Sequence, residues 1–507
     1  MFSSPLTPLL LTPLVGALLI ALVPGNYRVV HRAVALLTGL LTLVQALVIF
    51  SGFEGGTAAL QFEQLTEWIP SVGLNYHVGV DGLNLGLVLM AALVSFAAIC
   101  AAWEIERQVK LFYLLLLLIS GGAIGAFISL DLIFLYFFNE LALVPTFLMI
   151  GIWGRGEQKN YATFQITLYL TLGALVALTG LIAFYVSSGV NTLDVVALKA
   201  VLAEKPLAES AQKLIFPLLL LGFGTLVGLW PFHSWAAPGY AAAPTPTAMM
   251  HAGVLKKVGL YVLIRVAWPF LPAGVQHWLP ALALLCLGNI LYCGWVAMRQ
   301  RDLALLLGNS SLAHMGFCFL GLASLSVVGI TGVVLIMVAH GLLAGLSFAL
   351  NGYLHTRCGT TEMDKLGGLL RQMPFIGTAI VMAFMAGCGL PGFANFPGEL
   401  SVMFGAWKTL PWFVVAAAWG GLVIGGVYML RAIRAVVHGP AKTEFNHVGD
   451  ANYWRRLPFL VLLAALIWFG IRPDSLATSI QPVVAEIVKS ATPASPVSAP
   501  AAVVATH

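Results

Sequence analysis

Several side chains that can gain or lose a proton stand inside long apolar runs: Glu140, the adjacent Lys256 and Lys257, His314, His340 and Glu399. Only 9% of the 507 residues are charged while 60% are hydrophobic, so most charge is confined to short connectors. A charge near the middle of a bilayer costs about 3 kcal/mol or more; it persists where it pairs with another group or lines an ion or proton route. Glu140 lies in LIFLYFFNELALVPTFLMIGIW, a segment with no other charge. Carboxylate, amine and imidazole can each accept a proton and pass it on. The chemistry this set permits is proton transfer through a membrane interior.

Each residue also has a plainer reading. Asn139 beside Glu140 and Tyr136 one turn earlier favour a hydrogen-bonded, partly hydrated carboxyl, against a neutral carboxyl that merely binds a neighbouring helix. Lys256 and Lys257 leave a helix about 100° apart, so one shared route is expected to take only one of them, with Lys256 free to snorkel outward. Glu399 directly follows Pro397-Gly398, where a helix start would favour a carboxylate through its dipole alone. His314 and His340 suit a relay near neutral pH, though a lone buried histidine is commonly a satisfied core residue. His233, in the PFHSW element, and His251 are weaker candidates. Asp81 in GVDGL and Asp131 at the mouth of its span lie close to the membrane surface, where a helix-capping role and a functional one stay equally open.

The elements that position these groups are membrane spans. A span needs about 20 apolar residues, and about fourteen such segments recur from end to end. The fold expected is an all-α polytopic membrane protein. Its organisation is read as helices 1–3 over 1–105, a five-helix unit over 106–270, a second over 271–436, a loop and last helix over 437–489, and a disordered tail over 490–507. Residues 1–24 lack a basic n-region and are read as the first span. The six cysteines form no CxxC spacing and sit mostly inside spans as small apolar fillers. Arg28, Arg32, Arg107, Lys110, Arg155, Lys159, Arg299, Arg301, Arg357 and Arg371 fall on alternate connectors. The connector over 52–80 instead carries Glu54, Glu63 and Glu67 with no lysine or arginine. Positive charge stays cytoplasmic, so both termini are expected outside the cytoplasm; Lys199, Lys205 and Lys213 are the exception. The net charge of +5 reflects this topology rather than an affinity for nucleic acid.

Two spans are interrupted in corresponding ways. The seventh holds Pro231, with Pro238, Pro244 and Pro246 after it; the twelfth holds Pro391, Gly392, Pro397 and Gly398. Gly228-Leu229-Trp230-Pro231-Phe232 echoes Gly389-Leu390-Pro391-Gly392-Phe393. Proline removes a donor and opens a helix, and paired broken helices five spans apart are the mark of inverted repeats in transporters.

At FFNELALVP, PFHSW, APTPTAMMHAGVLKKVGLYVLIR, NSSLAHMGF, MVAHGL and LPGFANFPGE the chain resembles the antiporter-like subunits of proton-pumping NADH:quinone oxidoreductase (respiratory complex I), which are similar to Mrp-type cation/proton antiporter subunits. GVDGLNL over 79–85 and GIRPDSL near the end fit the subunit M (subunit 4) branch, and no long amphipathic helix or extra span is expected after 472. The resemblance, from about 78 to 475, implies fourteen core helices with two inverted five-helix repeats. It implies that Glu140 is the fifth-span glutamate of the proton inlet, Lys257 the eighth-span lysine, and Glu399 the acidic residue on the output side. His314 and His340 match polar residues of the connecting axis. One departure stands out: the family's seventh-span lysine, five residues before the proline of PFHSW, is Leu226 here. That lysine normally pairs with the fifth-span glutamate, and Lys256 could replace it. Gln165 and the Ala304-Leu305 pair also stand where the family often has basic residues.

No GxGxxG after a strand, Walker A, CxxC cluster or metal-spaced set of ligands is present. NADH, FMN, iron–sulfur clusters and quinone are therefore expected on partner subunits, with no redox active site on this chain. The expected partners are other membrane-arm subunits, including further antiporter-like ones, and membrane lipid. The expected location is a bacterial plasma (inner) membrane. The alternatives are an Mrp-like cation/proton antiporter, an antiporter-like subunit of a hydrogenase or inorganic-carbon uptake complex, and a non-pumping scaffold.

Overall fold

The computed structural model of the chain describes residues 4–445 and 448–492. In hydrocarbon every backbone N–H and C=O needs a partner within the protein, which leaves the helix as the natural element for so apolar a chain. In order the elements are α1 (Leu6–Leu22), α2 (Arg28–Gly52), β1 (Gln61–Ile69), β2 (Leu74–Val80), α3 (Leu85–Glu104), α4 (Val109–Ile128), α5 (Leu132–Trp153), α6 (Lys159–Ser188), α7 (Val195–Glu204), α8 (Glu209–Val227), α9 (Ala236–Ala242), α10 (Thr245–Phe270), α11 (Pro272–Arg299), α12 (Leu303–Ala323), α13 (Val327–Cys358), α14 (Pro374–Gly387), α15 (Asn395–Trp407), α16 (Pro411–His438), α17 (Tyr453–Ile471) and α18 (Asp474–Ala491). Among the described residues twelve helices are long and apolar enough to cross a membrane. The shorter apolar α1 and α14 stand where the first and twelfth spans are expected.

The centre of the molecule is α13, which packs against α3, α10, α12, α15, α17 and α18. Its residues from Gly329 to Leu354 are buried without interruption. The same holds for α10, where the arginine at 265 is the main departure. Apolar residues all round a helix suit such a place, since no face has to meet water.

Both interruptions are present. After α8 the chain leaves the helix at Gly228 (φ +89°) and resumes at α9. The groups freed there are taken up by Asn289 of α11. Its Oδ1 accepts from Trp230 N at 2.8 Å, and its Nδ2 donates to Gly228 O at 2.8 Å and to Leu312 O at 3.2 Å. Between α14 and α15, Ala394 N donates to Leu466 O of α17 at 3.0 Å. A buried side-chain amide at one break and a neighbouring helix at the other satisfy backbone that lipid could not.

Two elements depart from the expectations. The acidic connector over 52–80 is not a plain loop: β1 and β2 pair antiparallel with Thr66 opposite Tyr76. The hairpin is fastened to the rest by Leu130 N to His77 O (2.9 Å) and Leu193 N to Gly73 O (3.2 Å). At the other end, the chain turns after Ile471 into α18, a short amphipathic helix that the sequence reading did not mark out. Leu476, Ile480, Val483, Val484 and Ile487 bury its apolar stripe, with the spacing of a surface helix laid on a core. Ser490 and Ala491 complete it, so the structured chain passes the expected boundary at 490. The expected tail from 493 onward lies outside the described residues.

Candidate functional site

The lysine pair sits on α10 directly after a widened, π-helical turn over His251–Leu255. Such turns are rare and frequent at functional sites, because they re-aim the side chains that follow. Lys257 Nζ donates to Ala252 O at 2.6 Å and lies 2.9 Å from Nδ1 of His340 on α13. The His340 ring centroid is 5.3 Å from that of His314 on α12. His314 Nε2 is in turn 3.7 Å from Glu399 Oε1 on α15. Four titratable side chains from four helices thus form one buried file: Lys257, His340, His314, Glu399.

His314 is placed to hold a proton as well as pass it. Its Nδ1 is 2.8 Å from Ser310 O and its Nε2 3.2 Å from Gly387 O. Both oxygens only accept, and a neutral imidazole carries one N–H. A second proton on the ring therefore finds an acceptor already waiting. Gly387 O belongs to the end of α14, so the same ring also covers a carbonyl at the second break. Glu399 lies against that break too: a Cβ on Gly389 would stand 2.6 Å from Glu399 Oε2, at a backbone φ of +68°. Glycine alone meets both demands without strain.

Of the two courses open to Lys256, outward snorkelling or an interior place, the structure shows the interior one. Lys256 is fully buried, donates from Nζ to Ser311 Oγ of α12 at 3.1 Å, and lies 5.6 Å from the centre of the Tyr240 ring. The two lysines do diverge, one toward α12 and the other toward α13. Both end inside the protein because α10 has no lipid-facing side, so Lys256 does not snorkel.

Glu140 stands apart from the file. It is half-buried on α5 and accepts from its neighbour Asn139 Nδ2 at 3.1 Å. Tyr136 OH instead bonds Ala174 O on α6 at 3.2 Å. Among the described residues no ion pair includes Glu140, and Leu226 is a buried apolar residue. His233 remains at its break, with Nδ1 3.2 Å from Pro231 O, and His251 Nδ1 is 3.2 Å from Tyr240 OH.

A cavity of about 770 Å³ opens beside the connectors rich in basic residues. Arg155, His233, Ser234, Asn309, Asn351 and His355 are among its walls, and it reaches Leu312. Asn309 and Leu312 bracket Ser311, the hydrogen-bond partner of Lys256.

Sequence reasoning missed an interior cation. Arg265, on α10, binds Asp81 through both guanidinium arms, at 2.6 and 2.7 Å. The signal was present, since Arg265 ends the same apolar stretch as the lysines. Asp81 thus does more than cap, although Leu83 N also donates to it at 2.9 Å. Asp131 caps α5, accepting from Ile133 N at 2.9 Å and Phe134 N at 3.2 Å. At the far end of α6 from the cavity, His77 is gripped by Asp194 on Nδ1 and by Glu63 on Nε2 at 2.8 Å. Burial pushes the His77 imidazole down, but the hydrogen bonds and charges of Asp194 and Glu63 together outweigh it and raise its pKa above the ordinary value.

A helical membrane protein with two interrupted helices and a buried file of lysine, histidine and glutamate is of the antiporter-like, ion-translocating class. The family described as NADH:quinone oxidoreductase/Mrp antiporter, TM, matches residues 129–425, and the chain belongs to it. It is 32% identical over 467 residues to NADH-quinone oxidoreductase subunit M of Rhodobacter capsulatus, covering 90% of each. It is similar to a chain of respiratory complex I from Thermus thermophilus with bound NADH, at a TM-score of 0.88 and 29% identity over 96% of this chain and 100% of that one. The fold is shared with a chain of the Mrp complex from a Dietzia species, at a TM-score of 0.81, 17% identity and coverage of 96% and 99%.

Proposed function

We propose that the chain is a proton-translocating membrane-arm subunit of an NADH:quinone oxidoreductase of the complex I type. The observation that carries this reading is the buried file Lys257–His340–His314–Glu399, in a chain 32% identical to a subunit M. Moving one charge against the membrane potential takes about 2.3 kcal/mol per 100 mV. Redox chemistry on partner subunits, which carry NADH, FMN, iron–sulfur clusters and quinone, supplies that energy. It reaches this chain as a change of charge at one end of the file. The other partners are further membrane-arm subunits, antiporter-like ones among them. The setting is a bacterial inner membrane with both termini outside the cytoplasm.

Residues 106–270 and 271–436 act as two inverted five-helix repeats, with α14 and α15 meeting the file at their break and α9 lying beside Lys256. With Leu226 in place of the family's lysine, Glu140 lacks a cation of its own. Glu140 keeps the inlet role and Lys256 stands in for the absent seventh-span lysine; its partner Ser311 is flanked in the chain by Asn309 and Leu312 of the cavity wall. Protons then pass by Lys257 and the two histidines to Glu399 on the output side.

Purification of the chain from its native membrane in mild detergent tests the assignment. Peripheral redox subunits are expected to co-purify, and the reconstituted complex is expected to acidify one compartment on addition of NADH. Recovery only with Mrp-type, hydrogenase or carbonic-anhydrase-like proteins would transfer the chain to the alternative antiporter or uptake reading.

A further inference from the structure

At the Glu399 end of the file, the contact between His314 Nε2 and Glu399 Oε1 is 3.7 Å, beyond the reach of a direct hydrogen bond. A polar contact longer than 3.5 Å leaves room for a water to bridge the two groups. Beside this gap lies a small cavity of about 10 Å³, bounded among others by His314, Glu399, Gly387, Phe317, Gly421 and Tyr428. One water needs roughly 10–15 Å³ and two to four polar partners. The cavity has the size, and His314, Glu399, Tyr428 and the Gly387 carbonyl supply the partners.

We propose that this cavity is a single-water site joining Glu399 to His314, and that the Tyr428 hydroxyl, on α16, orients the water. The inference rests on the proton-translocation reading above and adds a residue and a site to it. Tyr428 is fixed from behind: its OH donates to Ser310 Oγ at 3.0 Å. Its one proton is thereby committed away from the cavity, and its oxygen lone pairs accept from the water. The water can then accept a proton from Glu399 as it gives one to the Nε2 of a neutral His314 ring, or run the exchange in reverse; no proton is gained or lost overall. Ser310 also presents its carbonyl to His314 Nδ1 at 2.8 Å, so one residue orders both the tyrosine and the histidine that share the water. Tyr428 is a positioning residue in this arrangement and is not itself a carrier.

The α16 helix contributes the other feature that keeps the space open. A Cβ added to Gly421 would come within 2.3 Å of Phe317 Cζ, and Phe317 is part of the cavity wall. Gly421→Ala must therefore push the phenyl ring, with the cavity as the space available to it. Tyr428→Phe keeps the ring and removes only the hydroxyl.

The test uses the assembled complex in inverted membrane vesicles, measuring NADH-driven proton uptake together with the infrared carboxyl band of Glu399, assigned by its loss in Glu399→Gln. Both Tyr428→Phe and Gly421→Ala are expected to slow uptake by about 3- to 10-fold, the factor carried by one hydrogen bond, and to shift the Glu399 band. Wild-type uptake in both variants overturns the inference. So does slowed uptake with an unmoved band, which would make Tyr428 a packing residue. Wild-type uptake in Glu399→Gln would instead remove the proposed file, and the water site with it.

Discussion

Breaking the Asp81–Arg265 pair should be among the most costly single changes in the molecule. The two side chains are 3% and 11% exposed and meet through two hydrogen bonds, at 2.6 and 2.7 Å. Removing one partner from a buried ion pair leaves the other charge uncompensated, at a cost of about 3–5 kcal/mol. Asp81→Asn keeps an oxygen for Leu83 N but strands the guanidinium; Arg265→Met keeps much of the apolar stem but strands the carboxylate. Each single variant should therefore lose about 3–5 kcal/mol, whereas the double variant leaves no buried charge and should recover much of it. The resulting coupling, about 2 kcal/mol or more, is measurable as a double-mutant cycle by reversible unfolding in mixed detergent. If the double variant loses the sum of the two singles, or either single is as stable as wild type, uncompensated charge is not what destabilises the single variants. The position gives the pair a further role, since Arg265 anchors the helix that carries both lysines to the start of α3.

Three other outcomes follow from particular contacts. Because the folded-state pKa of His77 is raised, the grip of Asp194 and Glu63 on it is fully present below the ordinary histidine value of about 6.5 and is lost as pH rises through the raised folded value. Amide exchange at Leu130, whose N–H donates to His77 O, should accelerate over that window beyond its intrinsic pH dependence. His77→Gln should flatten the response, and an unchanged response in that variant would exclude His77 as its source. A Cβ on Gly82 would fall 1.7 Å from Ser479 O, so Gly82→Ala should lift α18 and expose it to limited proteolysis; an unaltered cleavage pattern would contradict the close packing. Leu226→Lys places a cation in the seventh span, where the family carries one, and should raise pumping only if Lys256 is an imperfect substitute. Equal rates with and without it support Lys256 as the substitute for that lysine.

Legibility from the sequence followed charge. Lys257 and Glu399 declared themselves because an ionisable group in hydrocarbon is expensive and so informative wherever it occurs. Pro231 and Pro391 likewise disclosed both breaks, because a missing donor inside a span has to be compensated. What compensates it was not legible: Asn289 and Gly387–His314 are ordinary residues until the helices are placed side by side. The sequence left the course of Lys256 open between outward and inward, since an angle of about 100° between neighbours does not say which faces of α10 meet lipid. The hairpin was obscured because most of β1 is exposed or half-buried and carries no apolar alternation. Tyr428 gave no signal at all, being an uncharged residue in an apolar run. Glu140 was an anomaly in the sequence, and the one hydrogen bond described for its side chain comes from its chain neighbour Asn139.

The central claim is that protons cross by way of the interior file, and Lys257 is its least replaceable member, bonded on one side to Ala252 O and on the other to His340. A positioned proton-transfer group contributes about 100-fold or more to the step it serves. NADH-driven proton uptake by vesicles containing the assembled Lys257→Met complex should therefore fall about 100-fold, with the complex intact on native gels. Uptake at the wild-type rate by that intact complex would contradict the account.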